Sequence, residues 1–193
     1  MIIGIPKESL KGENRVAGSP SSISALIKLG FTVQVQKGAG SKASFTDEEY
    51  NNNNAEIVTK KNCWQSDIVL KVNAPTLDEV DLMNDGSTLI SFIAPAQSPD
   101  LLEALRAKSI TTLAMEMVPR MTRSQSMDAL SPIVKIAGYR AVIESSHHIV
   151  LFFPAQFTAS GKMQPAKIMM MRAVVAGLDA LGPAGRIGER GMA

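Results

Sequence analysis

Short apolar runs alternate with amphipathic segments along most of the chain, and this alternation constrains the fold more than any other feature. It is typical of βαβ units, which build a mostly parallel sheet covered by helices. We therefore predict an α/β fold for residues 1–150: a three-layer, Rossmann-like or flavodoxin-like domain with a mostly parallel sheet. The predicted strands are residues 1–5, 31–36, 55–58, 67–72, 87–93 and 110–115.

The segments between the predicted strands carry local signals for helix starts. Serine followed by proline, at 19–20, 98–99 and 131–132, fits a helix cap and a first helical residue. Thr76 and Glu79 have the spacing of a capping box, in which each side chain bonds the other residue's backbone N–H. The helix that begins at 131–132 is predicted to be the longest.

The composition excludes several classes of protein. The 193 residues carry a net charge of +2, which is too small to indicate binding to nucleic acid. The single cysteine, Cys63, excludes an internal disulfide and gives no metal-ligand spacing. Since the sequence shows neither a signal peptide nor a run of about 20 apolar residues, we expect a soluble, cytoplasmic chain without direct membrane insertion.

The stretch PAKIMMMRAVVAGLDALG, at residues 165–182, has the pattern of a strand followed by a helix. A dinucleotide-binding turn between them needs Gly-x-Gly-x-x-Gly, because side chains would keep the pyrophosphate from the backbone N–H groups. Only the third glycine, Gly177, is present; Arg172 and Val174 occupy the other two positions. We therefore predict that residues 168–193 are a remnant of the first strand and helix of a truncated nucleotide-binding domain. Residues 151–167, which precede it, are predicted to form a connector.

Polar residues near the ends of predicted strands are candidates for a binding site, because ligands of open α/β sheets bind beyond the carboxyl ends of the strands. Lys71 interrupts an apolar strand near its end, and it either contacts a ligand or snorkels from a sheet edge. Arg15 is either a ligand contact or a solvated side chain at the surface. The residue types alone leave both alternatives open.

A second candidate site is the polar segment at 119–131, which contains Arg120, Gln125 and Asp128. An ion pair between Arg120 and Asp128 would brace this segment. The Gln125 amide would then face outward as a hydrogen-bond donor and acceptor. The alternative is an ordinary surface loop.

Several motifs of the chain resemble the N-terminal part of the α subunit of the proton-translocating NAD(P) transhydrogenases. The alanine dehydrogenases share this architecture, so the two families have to be distinguished. The matching motifs are IGIPKE at 3–8, RVAGSP at 15–20, KLGFTVQVQKGAG at 28–40, WQSDIVLKVNAP at 64–75, SFIAPAQSPDLL at 91–102, VPRMTRSQSMDALS at 118–131, IAGYRA at 136–141 and PAKIM at 165–169.

The resemblance implies NAD(H) as the cofactor and assigns roles to the polar segment. Arg120, Gln125 and Asp128 match the loop that positions the NAD(H) nicotinamide against NADP(H), and Ser131 matches the nicotinamide end of the site. The implied partners are the remainder of the α subunit, a β subunit with an NADP(H)-binding domain, and a second copy of the chain. The family complex lies at the cytoplasmic face of the inner membrane.

One loop separates the two families chemically. In alanine dehydrogenases, residues matching Arg15 and Lys71 hold the substrate, and a catalytic histidine lies on the loop matching 92–97. Here that loop reads FIAPAQ, with Ala94 at the histidine position. Oxidative deamination needs a proton acceptor, whereas hydride transfer between two nicotinamides needs alignment. The loop therefore favours transhydrogenase. In a transhydrogenase, the candidate cofactor-binding residues of this chain are Arg15, Lys71, Ser131 and Gly177.

The incomplete nucleotide motif leaves three alternatives for this chain. It is a truncated or degenerate part of a transhydrogenase that is inactive alone, a retained interaction module without catalysis, or an alanine dehydrogenase-like oxidoreductase. We favour the first. It predicts that the chain alone binds NAD(H) weakly or not at all, because Arg172 and Val174 put side chains where the turn must be bare.

Overall fold

Six parallel strands form one sheet in the computed structural model of the chain, which describes residues 1–119, 121–150, 152–167, 169 and 175–187. The sheet order is β3-β2-β1-β4-β5-β6, and every neighbouring pair runs parallel. The prediction of an α/β fold with a parallel sheet is confirmed. The strands are β1 (Ile2–Ile5), β2 (Thr32–Gln36), β3 (Glu56–Val58), β4 (Ile68–Leu70), β5 (Thr88–Ser91) and β6 (Thr111–Ala114).

Five helices connect these strands, and two of them begin at predicted side-chain caps. Ser19 accepts a hydrogen bond from the backbone N–H of Ser22, and Thr76 and Glu79 form the predicted capping box. At Ser98 the structure differs, because the helix begins at the following proline without a side-chain cap. The helices are α1 (Pro20–Lys28), α2 (Asp47–Asn52), α3 (Lys60–Trp64), α4 (Leu77–Asp81) and α5 (Pro99–Ala107).

The buried side chains of the sheet form two clusters on its opposite faces. Val69 of β4 lies beside Gly4 of β1, and Ile68 lies beside Ile3. Because successive side chains of a strand point to opposite faces, Val69 and the Ile3–Ile68 pair lie on different faces of the sheet. One cluster contains Trp64, Val69, Val80, Met83, Leu89, Ile93, Leu101, Leu105 and Ile110. The other contains Ile3, Ile5, Ile23, Val33, Val35, Ala39, Tyr50 and Ala55.

Helix α3 approaches the sheet closely at Gly4. A Cβ atom at Gly4 would lie 2.1 Å from the backbone oxygen of Cys63, so only glycine fits here. Cys63 itself is fully buried, and this burial raises the pKa of its thiol to about 12. The cysteine is therefore a packed core residue.

The chain divides into two compact units, Met1–Pro119 (unit 1) and Arg120–Ala193 (unit 2). The six-stranded sheet and its five helices belong to unit 1. The two units are defined by how compactly the chain packs, whereas the domain boundary near residue 150 was inferred from sequence patterns. That domain boundary stays a prediction.

The described residues of unit 2 form two α-helices and a hairpin, namely α6 (Leu130–His148), the antiparallel strands β7 (Gln156–Thr158) and β8 (Gly161–Met163), and α7 (Val175–Ile187). The hairpin lies in the predicted connector and was not expected from the sequence. The predicted strand at the start of the remnant 168–193 falls mostly outside the described residues. The predicted helix after it is present as α7, which continues through Pro183.

The two helices of unit 2 touch at a glycine. A Cβ atom at Gly138 of α6 would lie 2.1 Å from the backbone oxygen of Ala176 in α7, so the glycine permits the close approach. A small core lies beside this contact, made by Val142, Phe153, Ala180 and Ala184. Among the described residues, every helix is too short or too polar to span a bilayer.

Candidate functional site

A buried ionic cluster lies at the carboxyl ends of the neighbouring strands β1 and β4. Lys71 directly follows β4, and its Nζ atom lies 2.9 Å from Glu8 Oε2 and 3.7 Å from Glu79 Oε2. The side chain of Lys71 is fully buried, and those of the two glutamates are nearly so. Because β1 and β4 are parallel neighbours, their following loops meet at one edge of the sheet and bring Glu8 to Lys71.

Glu8 also fixes the backbone that follows β4. Its Oε1 atom accepts a hydrogen bond of 2.7 Å from the N–H of Val72, and its Oε2 atom accepts one of 3.3 Å from the N–H of Asn73. The Asn73 amide donates to Glu8 Oε2 and, at 2.8 Å, to Glu13 Oε2. The loop after β1 and the loop after β4 are therefore joined by charge-assisted hydrogen bonds, which are stronger than neutral ones.

Arg15 ends this chain of contacts at the surface. Its Nε and Nη2 atoms donate to the two oxygens of Glu13 at 2.8 and 2.7 Å, and 47% of the Arg15 side chain is exposed. This fork geometry lowers the pKa of Glu13 to about 2, with the Arg15 hydrogen bond as the main cause. It also raises the pKa of Arg15.

The pairing of Glu13 predicts a pH dependence of stability. Folding lowers its pKa from 4.5 to about 2, so its contribution is fully present above pH 4.5 and is lost as the pH falls towards 2. At neutral pH, Glu13→Gln should lower the free energy of unfolding by about 2 kcal/mol, because it removes the charge that pairs with Arg15. The loss is smaller than the full pKa shift implies, because solvent around Arg15 screens the pair. Urea unfolding at a series of pH values measures this difference.

A matched variant controls for charge alone. Glu48 is an exposed glutamate on α2, and Glu48→Gln should change the stability of the folded chain by less than about 0.5 kcal/mol. A Glu13→Gln variant whose stability falls with acid as steeply as that of the native chain would contradict the assignment.

These contacts resolve one alternative left open by the sequence. Lys71 does not snorkel from a sheet edge, because β4 is an interior strand and the ammonium group is buried. Arg15 is held by Glu13 and is not simply solvated. Sequence reasoning did not single out Glu8, Glu13 or Asn73. The signal available in the sequence was a pair of glutamates, Glu8 and Glu13, in the loop after the first predicted strand, together with a lysine inside another apolar strand.

The loop after β5 contains position 94, where the resemblance places the histidine of alanine dehydrogenases. Ala94 adopts a left-handed backbone conformation, with φ of 46° and ψ of 66°, and its side chain is exposed. Glu116, on the turn Met115–Met117 after β6, accepts hydrogen bonds through Oε1 from the N–H groups of Ile93, at 2.9 Å, and of Ala94. The loop presents no acid–base side chain of its own, since residues 92–97 are FIAPAQ.

The polar segment of unit 2 begins at Arg120, which lies outside the described residues. Gln125 is exposed on the 3₁₀ turn Thr122–Met127. Asp128 Oδ1 accepts hydrogen bonds from the N–H groups of Leu130, at 2.9 Å, and Ser131, at 3.2 Å, and the Ser131 hydroxyl donates to Oδ2. Asp128 therefore caps α6, and the prediction of Ser131 as the cap is wrong, because the helix already begins at Leu130. A negative charge here also interacts favourably with the helix dipole.

The predicted phosphate turn is only partly described. Gly177 lies in the first turn of α7 and is half-buried, whereas Arg172 and Val174 lie outside the described residues. Within the described parts of the chain, no group of three His, Cys, Asp or Glu side chains is placed to hold a metal ion. In the predicted loop, the Gln125 amide is exposed and Ser131 is half-buried.

Comparison with known proteins relates the chain to two families of enzymes. The model of the family described as "Alanine dehydrogenase/PNT, N-terminal domain" matches residues 4–137. The NAD(P) transhydrogenase subunit alpha of Haemophilus influenzae is 49% identical over 188 residues, which are 97% of this chain and 37% of that protein. The alanine dehydrogenase of Bacillus subtilis is 37% identical over 142 residues, which are 73% of this chain and 37% of that protein.

A solved structure agrees with these sequence comparisons. The crystal structure of transhydrogenase from Sinorhizobium meliloti superposes with a TM-score of 0.95 at 39% identity, covering 99% of this chain and 55% of that one. The chain thus spans between about a third and just over half the length of these relatives. From its fold, the matched residues and these identities, the chain belongs to the alanine dehydrogenase and transhydrogenase N-terminal domain family, and it is related to the transhydrogenase α subunit.

Proposed function

We propose that the chain is the N-terminal part of the NAD(H)-binding component of a proton-translocating transhydrogenase, and that it is inactive by itself. The observation that carries the proposal is the loop at 92–97, which displays Ala94 and offers no proton acceptor. Hydride transfer between two nicotinamides releases no proton at the reacting carbons, so this loop suits it. When bound, NAD(H) supplies the hydride.

The residues of the polar segment fit the nicotinamide end of this cofactor. The exposed Gln125 amide is a donor and an acceptor, which matches the two functions of a carboxamide. Asp128 and Ser131 are bonded to one another at the start of α6, and this fixes the segment on its C-terminal side. In the proposal, Arg120, Gln125 and Asp128 position the nicotinamide, and Ser131 borders it.

The other candidate cofactor residues have unequal support. Lys71 is buried among its own glutamates, which argues for a structural role. Arg15 keeps half of its side chain exposed and can face a ligand from the rim of the cluster. Gly177 would permit close packing at the start of α7 in a nucleotide-binding turn.

Partners are part of the same proposal. They are the remainder of the α subunit, the β subunit with its NADP(H)-binding domain, and a second copy of this chain, at the cytoplasmic face of the membrane. Unit 2 supports a role in assembly, because Ile136 and Tyr139 of α6 and Phe157 of the hairpin are 68%, 55% and 77% exposed. Ile136 and Tyr139 are three positions apart on α6 and therefore neighbours on its surface, and neighbouring exposed apolar side chains mark interaction surfaces. The same side chains favour the interaction-module alternative, which differs by lacking hydride transfer.

Hydride transfer from NADH to an NADP⁺ analogue tests the proposal, after the chain is combined with the remaining transhydrogenase polypeptides. Gln125→Asn shortens the side chain by one methylene, and it should lower the transfer rate by about tenfold or more without changing the unfolding midpoint. Gln164, another exposed glutamine of unit 2, is the matched control, and Gln164→Asn should leave the rate unchanged. Equal rates for both variants and the native chain would contradict the role of Gln125.

NADH titration of the purified chain tests the expectation that the chain alone binds the cofactor weakly or not at all. Ligands bound with ordinary affinity bury about 70% or more of their surface, and the chain matches only part of its relatives' length. We therefore expect a dissociation constant well above the micromolar range, measured by the fluorescence of NADH. Micromolar binding would overturn this part of the proposal.

Alanine dehydrogenase activity should be absent, because Ala94 supplies no acid–base group. Ala94→His should not create turnover unless a nucleotide-binding domain is also supplied. The measurement is alanine-dependent formation of NADH, with a known alanine dehydrogenase as the positive control. Turnover by the native chain would reverse the choice between the two families.

A further inference from the structure

A single carboxylate oxygen holds the backbone of the loop after β5. Glu116 Oε1 accepts from two successive N–H groups, those of Ile93 and Ala94. Its other oxygen, Oε2, is buried and has no hydrogen-bond partner among the described residues. A buried carboxylate oxygen without a partner costs free energy, whereas the two hydrogen bonds through Oε1 stabilise the backbone of the loop.

The conformation at Ala94 is of that kind. A residue with a Cβ atom pays about five- to thirtyfold in an equilibrium constant to enter the left-handed region, since the Cβ crowds the following carbonyl oxygen. Ala94 has a φ of 46° and lies in this region, although it is not a glycine. Such a conformation persists only where the surrounding contacts enforce it.

We propose that Glu116 is a positioning residue, whose carboxylate holds Ala94 in the left-handed conformation and thereby sets the direction of the side chain at position 94. This side chain is exposed beyond the carboxyl end of β5, the edge of the sheet where ligands bind in this class of fold. Glu116 therefore determines how any residue at position 94 faces a ligand. The inference rests on contacts within unit 1 and holds whether or not the proposed function is correct.

Two variants and their combination test the proposal in the full chain. Ala94→Val places a β-branched side chain in the left-handed region, and it should raise the unfolding equilibrium constant by about tenfold or more. Glu116→Ala removes the acceptor and lets the loop relax, so adding Ala94→Val to it should cost about threefold or less. Ala96→Val is the matched control, since Ala96 is exposed in the same loop without a left-handed φ, and it should cost less than about twofold in both backgrounds.

Hydrogen exchange supplies a local measurement. In Glu116→Ala the amides of Ile93 and Ala94 should exchange about tenfold faster, whereas the strand amides of β1 and β4 keep their native rates. An equal cost of Ala94→Val in both backgrounds, or unchanged exchange at both amides, would overturn the proposal. If Glu116→Ala does not fold, Glu116→Leu with the same two readouts decides, because its side chain has no oxygen to accept the bonds.

Discussion

Replacing Lys71 with methionine is expected to lower the free energy of unfolding of unit 1 by about 3 to 5 kcal/mol. Methionine has a similar volume, but it leaves the buried carboxylates of Glu8 and Glu79 without the ammonium group that lies 2.9 and 3.7 Å from them. An unpaired buried charge costs far more than the pair contributes. Urea unfolding followed by far-ultraviolet circular dichroism measures the change.

Two further variants separate charge pairing from general packing. Lys28 is an exposed lysine in the last turn of α1, and Lys28→Met should cost less than about 0.5 kcal/mol. Combining Lys71→Met with Glu8→Gln removes the negative charge that Lys71→Met alone would leave buried and unpaired. The double variant should therefore lose less stability than the sum of the two single losses. A loss below about 1 kcal/mol for Lys71→Met would mean that the ion cluster is not intact in solution.

Replacing Gly138 with valine is expected to separate α7 from α6. The new Cβ atom would lie 2.1 Å from the backbone oxygen of Ala176, and backbone cannot move aside as a flexible side chain does. We expect unit 2 to lose about 3 kcal/mol or more, because its core is small and lies beside this contact. Faster amide exchange throughout Val175–Ile187 would report the separation.

Gly182 provides the matched control on α7 itself. No heavy atom lies within 4 Å of a Cβ at Gly182, so alanine fits there and improves helix propensity. Gly182→Ala should leave the exchange of α7 unchanged or slower. If Gly138→Val leaves it unchanged too, the close contact between the helices does not exist in solution.

The fold was readable from the sequence because its signals are local. The capping box of Thr76 and Glu79, and the alternation of apolar runs, specify elements within a few residues, and parallel order follows from the helices between strands. The hairpin of unit 2 was not readable. Its strands have three residues each and face solvent, which is too short for a pattern of alternation to appear.

The site was readable only in part, because its contacts join distant positions. Lys71 stood out as a charge in an apolar strand, but its partner Glu8 lies 63 residues away and is recognised only once β1 and β4 are neighbours. The same holds for Glu116, whose contact with Ala94 spans 22 residues and joins the segments that follow the neighbouring strands β5 and β6. The exposed Gln125 was a candidate from its polar segment, whereas its role at the nicotinamide comes from the resemblance to a known family and stays a prediction.

The position of the single tryptophan has a consequence for spectroscopy. Trp64 is fully buried in one of the two clusters of unit 1, and unit 2 contains no tryptophan. Intrinsic fluorescence excited selectively at tryptophan therefore monitors the packing around the sheet and is silent about α6, the hairpin and α7. A chain whose second unit had melted would still emit like the native protein, while its circular dichroism had already lost helical signal. Unfolding curves from the two optical methods will coincide only if the two units unfold together.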